Sequence, residues 1–326
     1  MKFMTRFGIL SVAVIMLFTG CGNEKEKRIN GLTSHQKKVL SYLPAETQFI
    51  MYMNLNELRK TPFWQDYFTS VLQKSNGSSW LDEFEKETGS GIKSGVVEFI
   101  TTGSWSGNDA SILTFDKNLS AVKNYFVNNS KFKQSELLGK KFFQSKEGGS
   151  VKFYFANDST LIMINSEAYL NDLIASEHKS LLDNKSLFPI IQSIQRGSQY
   201  WVATDEGGYA SGLLQQLVSS YKKLPVKNLI SSVKNITLAA NFDEGVKIES
   251  EWGCEDTKSA YLLSAAIKGA LAMDLLAGRD SALNELLQKM EVNHDKQNIN
   301  FEINLNKNDL SELKSFAKKN QLDKKL

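Results

Sequence analysis

Two cysteines and three histidines in 326 residues are the scarcest chemistry in this sequence. With Cys21 and Cys254 alone there is no disulfide framework, so stability has to come from a hydrophobic core. His35, His178 and His294 stand far apart, and none has a second His, Cys or carboxylate at ligand spacing such as i, i+4 on a helix. A zinc site is therefore not expected, and His294-Asp295 reads as a solvated hairpin end. Charge of one sign is also missing. Thirty-nine basic residues against 36 acidic give a formal charge of +3. That balance lacks the field needed to neutralise many phosphates, which excludes nucleic acid as an expected partner.

Several motifs are approached but not reached. Gly103-Ser104-Trp105-Ser106-Gly107 has the outline of a nucleophile elbow with Trp105 where the serine belongs. Gly208-Tyr209-Ala210-Ser211-Gly212 fails the same way at Ala210. Gly89 to Gly95 lacks both the G-x-G-x-x-G spacing and a Gly-Lys-Ser/Thr ending, so it reads as a helix-to-strand connection and not a phosphate cradle. Asp82, Glu83, Glu85 and Glu87 do not fall in a calcium loop and read as a solvated helix face. Cys254 precedes Glu255-Asp256, whose charges disfavour a thiolate, so it is expected to be buried or idle. With no catalytic constellation, the expectation is a non-enzyme with no cofactor.

What is present begins at the N-terminus. Lys2 and Arg6 precede about a dozen mostly apolar residues, Phe7 to Phe18, and small residues then lead to Cys21. This is the layout of a secretory signal, and the run is shorter than the roughly 20 residues of a bilayer-spanning helix. Leu17-Phe18-Thr19-Gly20-Cys21 resembles the lipobox of bacterial lipoproteins, with Phe18 in a place that is usually aliphatic. The resemblance covers about the first 21 residues. It implies cleavage before Cys21, a diacylglyceryl thioether on that residue and, in many bacteria, a further acyl chain such as palmitate on its amine. It also implies a cell-envelope address. An Asp after the cysteine would resemble an inner-membrane retention signal, but Gly22 stands there. The outer membrane is thus expected where the cell has one, and otherwise the outer face of the plasma membrane. Loss of residues 1–20 leaves 37 basic and 36 acidic side chains.

Residues 21–37 are polar and aperiodic and read as the lipidated cysteine followed by a tether. The folded part is expected from residue 38 as two α+β modules, 38–180 and 181–326. Each reads strand, helix, hairpin, helix, strands, helix, the order a tandem duplication would produce. Thr47 to Leu55 reads as a largely buried strand, and Thr61-Pro62 as a helix start. Ile299, Phe301, Ile303 and Leu305 alternate with polar residues, which favours antiparallel sheet with one buried face and helices packed on that face. Tyr261 to Leu276 is the most apolar stretch after the leader and is expected as a helix buried on two sides. Leu43-Pro44-Ala45-Glu46-Thr47 before a strand resembles the opening of some bacterial envelope lipoproteins, a likeness that implies no activity.

Three roles follow from these features. The first is a lipid-anchored, non-catalytic binding module for an envelope protein or component. The second is a carrier of an apolar small molecule, and the third an envelope hydrolase with scattered carboxylates.

Overall fold

A computed structural model describes residues 31–68, 80–116, 119–146, 148–175, 178–208, 229–277 and 288–312. The leader, Cys21 and most of the expected tether lie outside the described residues, as do residues 211–223, whose sequence suggests a helix, and Gly278, where it suggests a helix break. The fold is α+β, and its recorded strand pairings are antiparallel. By its internal contacts the chain divides after Ala203. This division differs from the 180/181 boundary by the segment that carries the last helix and last strand of the N-terminal unit.

The N-terminal unit starts earlier than the sequence suggested. Helix α1 (Ser34–Leu40) opens on a capping box: Thr33 accepts from the Gln36 N–H at 3.1 Å, and the Gln36 side chain accepts from the Thr33 N–H at 2.9 Å. Two otherwise orphaned N–H groups are satisfied there, which corrects the tether's end at residue 37. Val39 and Leu40 bury the opposite side of the helix.

Strands β1 (Phe49–Asn54), β2 (Val96–Gly103) and β3 (Ala110–Phe115) pair in sequence order. Short helices α2 (Leu55–Leu58) and α3 (Trp80–Thr88) lie between the first two, and α4 (Ser120–Asn128) follows β3. Next come β4 (Phe132–Leu137), β5 (Lys140–Ser145), β6 (Lys152–Phe155) and β7 (Thr160–Ile164). Helices α5 (Glu167–Ala175) and α6 (Leu187–Ser193) lead to β8 (Tyr200–Thr204). The order across the unit is β8-β1-β2-β3-β7-β6-β5-β4, so β7 returns to β3 and the β4–β5 hairpin is outermost.

The register defines two faces. Tyr52, Ile100, Ile112, Ile162, Tyr154 and Phe142 stand in one cross-strand row, while Met51, Thr101, Ser111, Met163, Phe153 and Phe143 form the neighbouring row on the other face. Helix α4 lies on the second face, where Phe126 is fully buried with its ring 4.8 Å from both Phe132 and Phe153 and 5.5 Å from Phe143. Helix α1 lies on the first face, over β2. One-sided helix packing therefore does not describe this unit. Ile50 through Met53 are buried without alternation, as a strand covered on both faces requires.

In the C-terminal unit, β9 (Val233–Asn241) and β10 (Val246–Cys254) form a hairpin, α7 (Thr257–Ala277) follows, and β11 (Glu291–Asp295) and β12 (Asn298–Leu305) form a second hairpin. The order is β9-β10-β12-β11. Here the alternation of β12 has its expected meaning: Ile299, Ile303 and Leu305 are buried while Asn304 is exposed. Ala260 and Leu263 of α7 pack with Val233, Ile236, Trp252 and Ile299. The other side of this helix faces water, with Tyr261 at 55% exposure and Leu262 at 40%. Over residues 257–272 the expectation of two-sided burial is corrected: the helix buries one side and shows the other to solvent.

Within each unit taken by itself, the pairing order is the same. A hairpin is followed by a helix and a second hairpin, whose last strand pairs with the last strand of the first: β2-β3-β7-β6 and β9-β10-β12-β11. The N-terminal unit adds the β4–β5 hairpin outside this set.

Candidate functional site

The chemistry that sequence spacing did not reveal is gathered over β2 of the N-terminal unit. Glu98, near the start of β2, lies opposite Asn54 of β1, and its side chain shares a face with Tyr52. The Tyr52 hydroxyl donates to Glu98 Oε1 at 2.8 Å, and His35 Nε2 of α1 lies 2.6 Å from Glu98 Oε2. The carboxylate is 11% exposed, between a buried phenol and an imidazole that is 55% exposed. Each carboxylate oxygen thus has a partner, as a buried charge requires.

The phenol is held protonated. Burial pushes the Tyr52 pKa well above the ordinary tyrosine value, the Glu98 charge adds to the effect, and a hydrogen bond with the Gln36 side chain opposes it. The Tyr52 ring stacks on Trp201 of the neighbouring strand β8, with centroids 5.1 Å apart and planes 14° apart. Tyr52 and Glu98 form a fixed platform, and His35 is the member that meets solvent.

His35 also lines an open cleft of about 550 Å³. Lys38, Val39 and Tyr42 of α1 and the following turn form one wall, and Asp116 with the 157–160 turn between β6 and β7 forms the other. Ser159 N–H and hydroxyl both donate to Asn157 Oδ1, and Asp158 accepts from Lys123 Nζ at 3.0 Å. The cleft combines cationic, anionic and hydroxyl groups, which suits hydrogen-bonded recognition of a polar group. The Glu98 carboxylate already has both oxygens engaged by protein.

The other residues singled out in the sequence lie elsewhere. Cys254 is buried at the end of β10, and burial is the main cause that raises its thiol pKa, with Asp256 adding and a Ser232 hydrogen bond opposing. His178 Nε2 lies 2.7 Å from the Ser41 carbonyl, and its ring meets Tyr169 edge-on. His294 meets Tyr261 at 5.4 Å in the C-terminal unit. Trp105 sits at the exposed turn between β2 and β3, where its backbone N–H donates to Gln48 Oε1. Glu83 pairs with Lys131 at 2.7 Å. Among the described residues no group of three His, Cys, Asp or Glu is placed to hold a metal ion, and no helix is long and apolar enough to cross a membrane.

Comparison with known proteins gives a fold and no family. Crystal form I of TP0453 matches with a TM-score of 0.50 at 8% identity, over 81% of this chain and 91% of that one. Crystal form III of the same protein gives 0.51 at 9% identity, over 81% and 92%. At such identity the likeness concerns the fold. No protein-family model and no curated protein matches the sequence.

Proposed function

We propose that this chain is a lipid-anchored, non-catalytic protein of the bacterial envelope, held to the membrane through Cys21, whose body binds an envelope partner. The observation that carries the anchor is Leu17-Phe18-Thr19-Gly20-Cys21 directly after a short apolar run. Two or more acyl chains give stable anchoring at about 0.8 kcal/mol per buried methylene, whereas one chain gives only marginal binding. The outer membrane is the proposed destination where one exists, since Gly22 and not Asp follows the cysteine. The cleft beside His35 and Lys38 is the proposed contact point for the partner.

Support for a binding role over an enzymatic one is chemical. Glu98, the buried carboxylate of the site, has its two oxygens taken by Tyr52 and His35. The repeated strand order of the two units supports descent from a duplicated module, a history that adds surface without requiring a reaction.

Metabolic labelling with a palmitate analogue tests the anchor. The wild type should incorporate label and begin at Cys21, and Cys21→Ala should do neither; a wild type that is processed elsewhere and unlabelled refutes it. Crosslinked capture from envelopes tests the binding role, with His35→Ala/Lys38→Ala as the comparison. A partner that survives this double substitution, or recovery of a lipid in place of any partner, would turn the assignment toward another surface or toward a carrier.

A further inference from the structure

The β4–β5 hairpin carries a feature that neither the cleft nor the core explains. Its two-residue turn is Leu138-Gly139, with φ of 48° and 75°. Such turns favour Asn or Gly at the first position, because a branched side chain is disfavoured in the left-handed region. Among the described residues only Leu138 and Lys296 adopt positive φ without being glycine. Leu138 is also 69% exposed, so an aliphatic side chain is held in an unfavourable backbone conformation and then shown to solvent.

The hairpin around it is basic. Lys133, Lys140, Lys141 and Lys146 are exposed, with Glu136 opposite Lys141 and Lys131 engaged by Glu83. Lysines on an outermost strand discourage unwanted strand pairing, which accounts for Lys133. That role does not call for a leucine at the tip.

The hairpin tip and the chain's point of entry share one end of the unit. From the row Phe142, Tyr154, Ile162, Ile112 and Ile100, moving along β5 toward Lys140 means moving toward Phe155, Thr160, Phe115 and Glu98 on the successive strands. Glu98 holds His35 in the first turn of α1, just after Gly31, whose N–H donates to Ile194. Five strand spacings, about 24 Å at ~4.8 Å each, separate β2 from β4. The ten residues from Cys21 to Gly31 span at most roughly 36 Å. A bilayer that holds Cys21 is therefore within reach of this end of the unit.

We propose that the β4–β5 tip docks the N-terminal unit on an anionic bilayer surface, with Leu138 entering the interface and Lys140 and Lys141, next to the turn, meeting anionic headgroups. An apolar tip flanked by lysines whose stems reach along it matches the layered chemistry of that interface. The inference rests on the Cys21 reading for proximity, and it assigns orientation, which the acyl chains alone leave free.

The mature lipidated protein with Leu138→Cys, labelled with a polarity-sensitive dye, is placed in phosphatidylcholine vesicles with or without phosphatidylglycerol. Ser106→Cys, on the β2–β3 turn at the opposite end, is the reference, and the unsubstituted protein measures labelling at buried Cys254. The dye at 138 should shift blue and be quenched by brominated lipid in anionic vesicles, and the dye at 106 should not. Lys140→Gln and Lys141→Gln should each lower the ratio of docked to undocked tip roughly fivefold. In unlabelled protein, anionic vesicles should protect residues 132–145 from amide exchange, and Leu138→Asn, which suits the turn, should remove that protection. Protein that sediments with vesicles while both probes stay equally wet overturns the docking and leaves the anchor standing. Protein that fails to sediment at all overturns both.

Discussion

The Tyr52 hydroxyl donates a hydrogen bond to Glu98 across 2.8 Å, tying β1 to β2 at a point where both side chains are buried. With Tyr52 stacked on Trp201 and Glu98 met by His35, this pair is the polar centre of the N-terminal unit.

Removing the acceptor should cost more than altering it. Glu98→Ala leaves the buried Tyr52 hydroxyl without its acceptor and is expected to lower stability by about 1–3 kcal/mol. Glu98→Gln keeps an acceptor for Tyr52 and should lose less. Urea unfolding of both variants checks this, and equal losses would show that the bond contributes nothing specific.

Alkaline pH should destabilise the chain through two phenols. Burial raises the pKa of Tyr52 and of Tyr169 above the unfolded value of about 10. Both folded-state shifts are upward, so their contribution is fully present below pH ~10. It falls above that pH as the unfolded chain releases protons that the native state retains. The slope should be about 1.4 kcal/mol per pH unit for each phenol, and Tyr52→Phe or Tyr169→Phe should remove one such increment. Urea midpoints measured across this window decide the matter.

Leu138→Asn should stabilise the protein by up to about 1 kcal/mol, since it relieves a left-handed leucine in a two-residue turn. A lower urea midpoint in this variant would mean that Leu138 makes contacts that outweigh its backbone cost.

Phe126→Ala should cost about 3–5 kcal/mol, because the ring is fully buried among Phe132, Phe143 and Phe153 and its loss leaves a cavity. Trp105→Ala, on an exposed turn, should stay within about 0.5 kcal/mol. Thermal or urea unfolding separates the two.

Cys254 should be silent toward thiol reagents at neutral pH in the native protein and react once the chain is unfolded in urea. Modification of the native protein as fast as of the unfolded chain would contradict its burial.

Much of the fold could be read locally. β3 and β7 stand where apolar runs bounded by Gly107-Asn108-Asp109 and Asn157-Asp158 place them, because turn chemistry and strand composition agree there. β4 escaped notice since Lys133-Gln134-Ser135-Glu136 looks like loop: an outermost strand needs little apolar surface. α1 is short and charged, and its only local signature is Thr33 with Gln36. The candidate site was not legible at all. His35, Tyr52 and Glu98 are separated by 63 and 46 residues from their partners, so only the β1–β2 register and the seating of α1 bring them together.

The return of β7 to β3 and of β12 to β10 sets a condition on how each unit folds. Residues 116–159, 44 in number, intervene in the first case and residues 255–297, 43 in number, in the second. Every other neighbouring pair in the sets β2-β3-β7-β6 and β9-β10-β12-β11 is a local hairpin, so each set needs one long closure, and the N-terminal unit adds two more where β1 meets β2 and β8. Since closure entropy varies only with the logarithm of loop length, the two sets face nearly the same closure cost, although among the described residues one spans it with three strands and a short helix and the other with a single strand and a long helix.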